Sequence, residues 1–242
     1  MSRMLYIAVA LFLIASVPLA YWTIVFFQKY EISRFLINRA VAYQVVNTDY
    51  TRTLLILGDS TGVGVGALQP EDSVAGRLAK AMDATYIENR AVSGAVAADV
   101  GLQLSDALLP RYNVILIQVG ANDIVRFHDT KAVAAQLLDT IQNASKRSDA
   151  TYLMSAGDLG ATTNFPSPMR PFYTKLTLRY HAAFEKMAKD AGVVYINLYM
   201  PPEEDPFVKD PNRYLSIDGF HPSSDGYGLW FDRLWEVAKT NI

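Results

Sequence analysis

Short apolar runs alternate with amphipathic stretches from residue 53 to the end of the chain. The apolar runs are rich in β-branched or aromatic residues, as buried strands are, and they occupy residues 53–57, 85–89, 113–119, 151–156 and 193–199. The amphipathic stretches are typical of helices, and they lie near residues 72–83, 96–109, 130–147, 172–191 and 222–239. This alternation predicts an α/β fold in which helices cover both faces of a five-stranded parallel sheet. No repeat or linker divides residues 50–242, so we expect one domain there.

The segment before this domain is strongly apolar. Residues 4–27 contain no charged residue, and as a helix they would extend roughly 36 Å, more than the roughly 30 Å of a bilayer's hydrocarbon core. A cleaved signal peptide is the alternative. Its best cleavage site, after Ala20, places Pro18 where a small residue is needed. We therefore predict an N-terminal transmembrane helix within residues 1–28, or a signal sequence there, followed by a juxtamembrane helix at 29–49.

The charges beside this segment bear on its orientation in a membrane. Arg3 precedes the segment, and Lys29, Arg34 and Arg39 follow it. The positive-inside rule alone would leave the following domain in the cytoplasm, but large domains also translocate against flanking charge. Our prediction is a single-pass membrane protein with an extracytoplasmic domain.

The composition excludes several classes of function. The net charge is −2 with no basic cluster, whereas nucleic-acid binders carry a clustered Lys/Arg face. The absence of cysteine excludes thiolate catalysis and cysteine-based zinc sites. The three histidines do not group with carboxylates at a spacing typical of metal ligands. We expect no nucleic-acid partner and no metal.

Residues with candidate catalytic roles follow four of the predicted strands. Ser60 lies in a Gly-rich turn after the first strand, Gly94 follows the second, and Asn122 follows the third. Asp218 and His221 come after the fifth strand, beyond a Pro-rich loop. Because ligands gather at the carboxyl ends of parallel strands, we expect these residues to share one site.

These residue types suit nucleophilic catalysis. A serine hydroxyl needs a base, histidine is basic enough near neutral pH, and an aspartate can hold the imidazole. Asp218 and His221 are three residues apart, so one turn can bring them together. The backbone N–H groups of Ser60 and Gly94 and the side-chain amide of Asn122 can supply the donors that an oxyanion needs.

The four segments resemble the SGNH (GDSL-type) hydrolase family. The match runs in order through Gly58-Asp59-Ser60, Gly94, Gly120-x-Asn122-Asp123 and Asp218-x-x-His221-Pro222, and it covers residues 53–239. The resemblance implies a flavodoxin-like three-layer α/β/α fold, hydrolysis through an acyl-enzyme, and no cofactor. It also implies a triad of Ser60, Asp218 and His221, and an oxyanion hole of Ser60, Gly94 and Asn122.

Each segment also has a plainer interpretation. Gly58–Gly62 fits the G-x-S-x-G elbow of α/β-hydrolases, although the compact Asp218/His221 pair does not suit that fold. The glycine-rich stretch lacks the G-K-[ST] ending of a nucleotide loop. Gly94 can be a turn glycine, and Asn122 and Asp123 can cap the next helix.

We therefore predict a serine hydrolase that cleaves small-molecule or lipid carboxylic esters, in the manner of an esterase or lipase. Lysophospholipase and cell-envelope deacylase activities fit this prediction. Two alternatives stay open: an acyltransferase that uses the same acyl-enzyme, and an inactive binding module tethered to a membrane. Two long loops, at residues 157–171 and 200–217, could shape the substrate pocket. Four side chains in or beside these loops either line the pocket or pin the loops to the core: Phe165, Met169, Phe172 and Phe207.

Overall fold

In the computed structural model, which describes residues 3–240, five strands form one parallel sheet. The strands are β1 (Thr53–Gly58), β2 (Tyr86–Asn89), β3 (Tyr112–Gln118), β4 (Ser148–Met154) and β5 (Val194–Ile196). Their order across the sheet is β2-β1-β3-β4-β5. In register, Leu54 of β1 lies opposite Ile87 of β2 and Val114 of β3. This is the order of a flavodoxin-like sheet, whose direction of winding reverses beside β1.

Helices connect the strands and cover the sheet. The α-helices are α1 (Arg3–Arg39), α2 (Ser60–Val63), α3 (Val74–Ala81), α4 (Val100–Ser105), α5 (Ala121–Val125), α6 (Thr130–Lys146), α7 (Arg170–Ala191), α8 (Pro206–Lys209), α9 (Pro211–Tyr214) and α10 (Ser224–Ala238). Short 3₁₀ turns lie at Pro70–Asp72, Ala97–Asp99, Leu159–Ala161 and Ser167–Met169.

Two hydrophobic cores lie on opposite faces of the sheet. Because successive strand side chains point to opposite faces, Leu55 and Leu57 pack with α4, α6 and α7, while Leu54 and Ile56 pack with α3 and α10. All four of these leucine and isoleucine side chains are fully buried. The predicted three-layer α/β/α architecture with a five-stranded parallel sheet is confirmed.

The predicted N-terminal transmembrane helix is wrong. A single-pass span needs about 20 consecutive, mainly apolar residues in one helix. Across residues 3–240, none of the helices combines enough length with enough apolar character to cross a bilayer. The predictions of a membrane anchor and of a membrane location therefore lose their support.

α1 also runs through a boundary that the sequence suggested. It is continuous from Arg3 to Arg39, with Pro18 inside it, and so passes the predicted junction at residue 28. Residues 1 and 2 lie outside the described part of the chain. The division of the chain at residues 28 and 49 stays a prediction.

Candidate active site

Ser60 is the first residue of α2, directly beyond the carboxyl end of β1. Asp59 precedes it and caps the helix, since its carboxylate Oδ1 accepts hydrogen bonds from the backbone N–H of Thr61 at 2.9 Å and from the Thr61 hydroxyl at 2.8 Å. Burial raises the pKa of Asp59 to about 6. Ser60 is buried, with 6% of its surface exposed.

Asp218, His221 and Ser60 form one continuous chain of hydrogen bonds. The Nε2 atom of His221 lies 2.9 Å from the Oγ atom of Ser60, and its Nδ1 atom lies 2.6 Å from the Oδ2 atom of Asp218. An ionised carboxylate can only accept, so Nδ1 donates to Asp218. In the neutral imidazole, Nε2 is then left to accept the proton of the Ser60 hydroxyl.

The turn before α10 positions both acid and base. The Oδ1 atom of Asp218 accepts hydrogen bonds from the backbone N–H groups of Phe220 (2.9 Å) and His221 (3.0 Å) and from the Ser216 hydroxyl (2.8 Å). Burial raises the pKa of the Asp218 carboxyl, but the hydrogen bond and charge of His221, together with these donors, outweigh burial and hold it at about 2. Asp218 is therefore ionised at neutral pH although it is fully buried.

Gly94 and Asn122 lie on segments that are bonded to each other. Gly94 follows β2 in a loop, and Asn122 lies in the first turn of α5 after β3. The side-chain Nδ2 of Asn122 donates to the carbonyl of Ala95 at 2.9 Å, and Arg126 donates to the carbonyl of Gly94 at 3.0 Å. The bond to Ala95 uses one of the two hydrogens on the Nδ2 atom of Asn122 and leaves the other for a second acceptor. The side chains of Asn122 and Arg126 therefore bond these two segments to each other.

Asp123 is also hydrogen-bonded to the segment that follows Gly94. It is 1% exposed, and its Oδ2 atom accepts a hydrogen bond from the backbone N–H of Ala97 at 3.0 Å. Its Oδ1 atom lies 3.0 Å from the Nδ1 atom of His128. The sequence left Asp123 outside the site, and in the structure it is hydrogen-bonded to the segment that follows Gly94.

A pocket lined mainly by apolar side chains opens beside Ser60 and His221. Its apolar walls come from Leu159, Leu198, Phe207, Leu215, Phe220 and Trp230, and its polar walls include Asp158, Asp205 and Thr162. Most of these residues carry no local sequence signal, because their lining role depends on how α10 and the loops after β4 and β5 meet.

The sequence suggested four residues as pocket walls: Phe165, Met169, Phe172 and Phe207. Of these, Phe207 lines the pocket. Phe165 is buried against Tyr173, with ring centroids 3.7 Å apart, so it pins its loop to the core. Met169 is 41% exposed and Phe172 is 47% exposed, and neither lines the pocket. Within residues 3–240, no group of three His, Asp or Glu side chains is arranged to hold a metal ion.

Known proteins share both sequence and fold with this chain. The family model described as GDSL-like Lipase/Acylhydrolase family matches residues 56–229. A GDSL-like esterase of Mycobacterium tuberculosis is 28% identical over 196 residues. That alignment covers 77% of this chain and 61% of the relative, so the chain spans less than two thirds of the relative's length.

Solved structures share the fold at low identity. A member of the lipolytic protein G-D-S-L family from Veillonella parvula matches with a TM-score of 0.62 and 15% identity, over 78% of this chain and 99% of that chain. The psychrotrophic esterase EstA from a Pseudoalteromonas species matches with a TM-score of 0.58 and 22% identity, over 78% of this chain and 98% of that chain.

Proposed function

This chain belongs to the GDSL-like lipase/acylhydrolase family, and on that premise we propose that it is a serine hydrolase that cleaves carboxylic esters through an acyl-enzyme. The family resemblance that the motifs predicted is thus confirmed. The observation that carries the proposal is the hydrogen-bonded chain from Asp218 through His221 to Ser60. An inactive binding module would have no need of this arrangement.

In the proposed acylation step, the Nε2 atom of His221 takes the hydroxyl proton as the Oγ atom of Ser60 attacks the ester carbonyl carbon. The ionised Asp218 stabilises the imidazolium that forms. The tetrahedral intermediate then collapses, the carbon–oxygen bond to the alcohol breaks, and His221 returns its proton to the departing alkoxide. Ser60 is left acylated.

Charge on the carbonyl oxygen is stabilised by hydrogen-bond donors in this proposal. The backbone N–H groups of Ser60 and Gly94 and the Nδ2 group of Asn122 form the oxyanion hole. Because Asn122 is anchored to the Ala95 carbonyl through one hydrogen, its amide is already oriented before substrate binds. Such preorganised donors need little reorganisation as the charge develops.

Water completes the cycle in the deacylation step. His221 removes a proton from a water molecule, the resulting hydroxide attacks the acyl carbon, and the Ser60 oxygen leaves with the proton that His221 returns. The carboxylic acid product then dissociates. An alcohol acceptor in place of water would give acyl transfer by the same route.

The apolar pocket supports a substrate with a hydrocarbon acyl group. Its walls, among them Leu198, Phe207 and Trp230, lie beside Ser60 and His221, and burying a methylene group there contributes about 0.8 kcal/mol. We propose that the acyl chain of a small-molecule or lipid ester occupies this pocket while the alcohol points toward solvent.

The test is a series of p-nitrophenyl esters from acetate to laurate, assayed with the full chain and with Ser60→Ala. We expect kcat/KM to rise with chain length until the pocket is full and then to fall, and we expect no turnover by Ser60→Ala. Added alcohol acceptors will separate hydrolysis from transfer. An absence of turnover across the whole series would remove the esterase proposal.

A further inference from the structure

The N-terminal helix contacts the turn that carries Asp218 and His221. Within the described part of the chain, the side-chain hydrogen bonds that join α1 to the rest of the molecule both come from Lys29. Its ammonium Nζ donates to the backbone carbonyl of Thr163 at 2.9 Å and to the Thr163 hydroxyl at 2.7 Å. Lys29 is separated from Thr163 by more than a hundred residues, so this is a tertiary contact and not part of a local turn.

Thr163 in turn is bonded to the catalytic turn. Its backbone N–H donates to the carbonyl of Gly219 at 2.9 Å, and Gly219 lies between Asp218 and Phe220. The packing there is close: a Cβ atom added to Gly219 would lie 2.1 Å from the Thr163 hydroxyl and 2.5 Å from the Lys29 Nζ atom. Lys29, Thr163 and Gly219 therefore form one contact, which we call the Lys29 contact.

The rest of the turn is closed by its own hydrogen bonds. The N–H of Gly219 donates to the Ser216 carbonyl at 2.8 Å, and the N–H of Ser216 donates to the His221 carbonyl at 2.8 Å. These bonds fix the shape of the turn, but they do not fix where the turn lies relative to Ser60. The Lys29 contact is an external restraint on that position.

The surroundings of Lys29 include the negative charge of Asp218. Burial lowers the pKa of the Lys29 ammonium, and the neighbouring Asp218 carboxylate opposes that shift. The positive charge thus lies within electrostatic reach of the triad acid, while the Lys29 side chain does not line the pocket beside Ser60. Lys29 can therefore act on the reaction through Asp218 and its turn, and not by lining the substrate pocket.

We propose that Lys29 is a positioning residue of the active site, which holds the Asp218–His221 turn against Ser60 through Thr163 and makes catalysis depend on the docking of α1. The inference rests on the proposed ester hydrolase function. A loss of this contact shifts the imidazole relative to the serine hydroxyl, and small misplacements of reacting groups lower kcat strongly.

The experiment compares Lys29→Met, Lys29→Arg and Lys189→Met in the full chain. Lys189 is exposed near the end of α7, so Lys189→Met applies the same change away from the site. With p-nitrophenyl acetate we expect Lys29→Met to lower kcat about tenfold with KM within about twofold. Lys29→Arg should restore most of the rate, since a guanidinium keeps the charge and can donate to both Thr163 oxygens. Lys189→Met should match the parent chain.

A second comparison separates positioning from general stability. If Lys29 acts through Thr163, the double variant Lys29→Met/Thr163→Val should lose less rate than the product of the two single losses. Independent, multiplying losses would overturn the inference, as would parent-like kcat in Lys29→Met or a kcat loss that only follows the fraction of unfolded protein. A parent chain without esterase turnover would instead refute the proposed function itself.

Discussion

Three buried aspartates near Ser60 differ in their ionisation because their hydrogen-bond partners differ. Asp218 is held at a pKa of about 2, since donors from His221, Phe220 and Ser216 outweigh its burial. Burial raises the pKa of Asp59 and of Asp205 to about 6, because each accepts bonds only within its own short turn. The triad acid is therefore the one that keeps its charge over the widest pH range.

The raised pKa of Asp205 predicts how stability changes with pH. The pKa of Asp205 is higher in the folded chain than in the unfolded chain. Its contribution to the free energy of unfolding is therefore fully present below about pH 4 and is lost as the pH rises through about 6. A shift of about two units corresponds to about 3 kcal/mol. Asp205→Asn keeps an N-cap side chain for α8. Between pH 4 and pH 7, the free energy of unfolding of this variant should fall by about 2–3 kcal/mol less than that of the parent chain.

Urea unfolding at several pH values measures that difference. Asp139→Asn is the matched control, because Asp139 is exposed on α6, and its pH dependence should equal that of the parent chain. If Asp205→Asn also shows the parental pH dependence, the pKa of Asp205 does not rise on folding.

Substitution of Asn122 tests the proposed oxyanion hole. The alternative role that the sequence left open, helix capping, is not what the structure contains, since α5 has Gly120 at its N-cap and no side-chain cap. We expect Asn122→Ala to lower kcat by roughly 10²–10³-fold with little change in KM, as loss of an oxyanion donor does. Kinetics and melting temperature on one purified sample check this. An early-melting variant with normal kcat would remove Asn122 from the proposed site.

At the scale of elements, the junction of β1 with α2 depends on close backbone packing. A Cβ atom on Gly58 would lie 1.8 Å from the carbonyl oxygen of Gln118 in β3, and Gly58 has a φ of 129°. Both polar groups of its backbone are bound by the Gln103 side chain, at 2.7 and 2.9 Å. Gly58 is therefore required by its close packing against β3 as well as by the turn that leads to Ser60.

Gly58→Ala should consequently destabilise the fold by about 3 kcal/mol or more, from backbone strain and steric overlap together. Gly192→Ala is the control: Gly192 also has a positive φ, of 69°, but has no atom within 4 Å of an added Cβ. We expect it to cost only about 1–2 kcal/mol, the conformational penalty alone. Equal losses in the two variants, measured by urea unfolding, would show that close packing at Gly58 is unimportant.

The periodicity of the sequence predicted the long elements well and the short ones less well. The stretches near 130–147, 172–191 and 222–239 correspond to α6, α7 and α10, because each buries a continuous apolar stripe. The stretch near 96–109 is a 3₁₀ turn followed by the short α4, where the Asp99 carboxylate accepts from the Val96 N–H. β5 covers only Val194–Ile196, since an edge strand has one neighbour to pair with.

At the scale of the whole molecule, strand order brings distant motifs together. The sequence could predict that Ser60 and the Asp218/His221 pair would meet, because each lies beyond a strand of one parallel sheet. Apart from Phe207, it could not predict the pocket walls, and it could not predict the Lys29 contact, because both depend on how loops and helices pack over that edge. The sequence also misled at the N-terminus, where apolar composition suggested a membrane span that the helices of residues 3–240 do not provide.

The most direct test of the account is to locate the activated hydroxyl. A fluorophosphonate probe reacts readily only with a serine that a nearby base activates. We expect mass spectrometry of the labelled full chain to place the adduct on Ser60, with no labelling of Ser60→Ala and nearly none of His221→Ala. An adduct on Ser93 or another serine, or labelling that persists in Ser60→Ala, would contradict the assignment of Ser60 as the nucleophile.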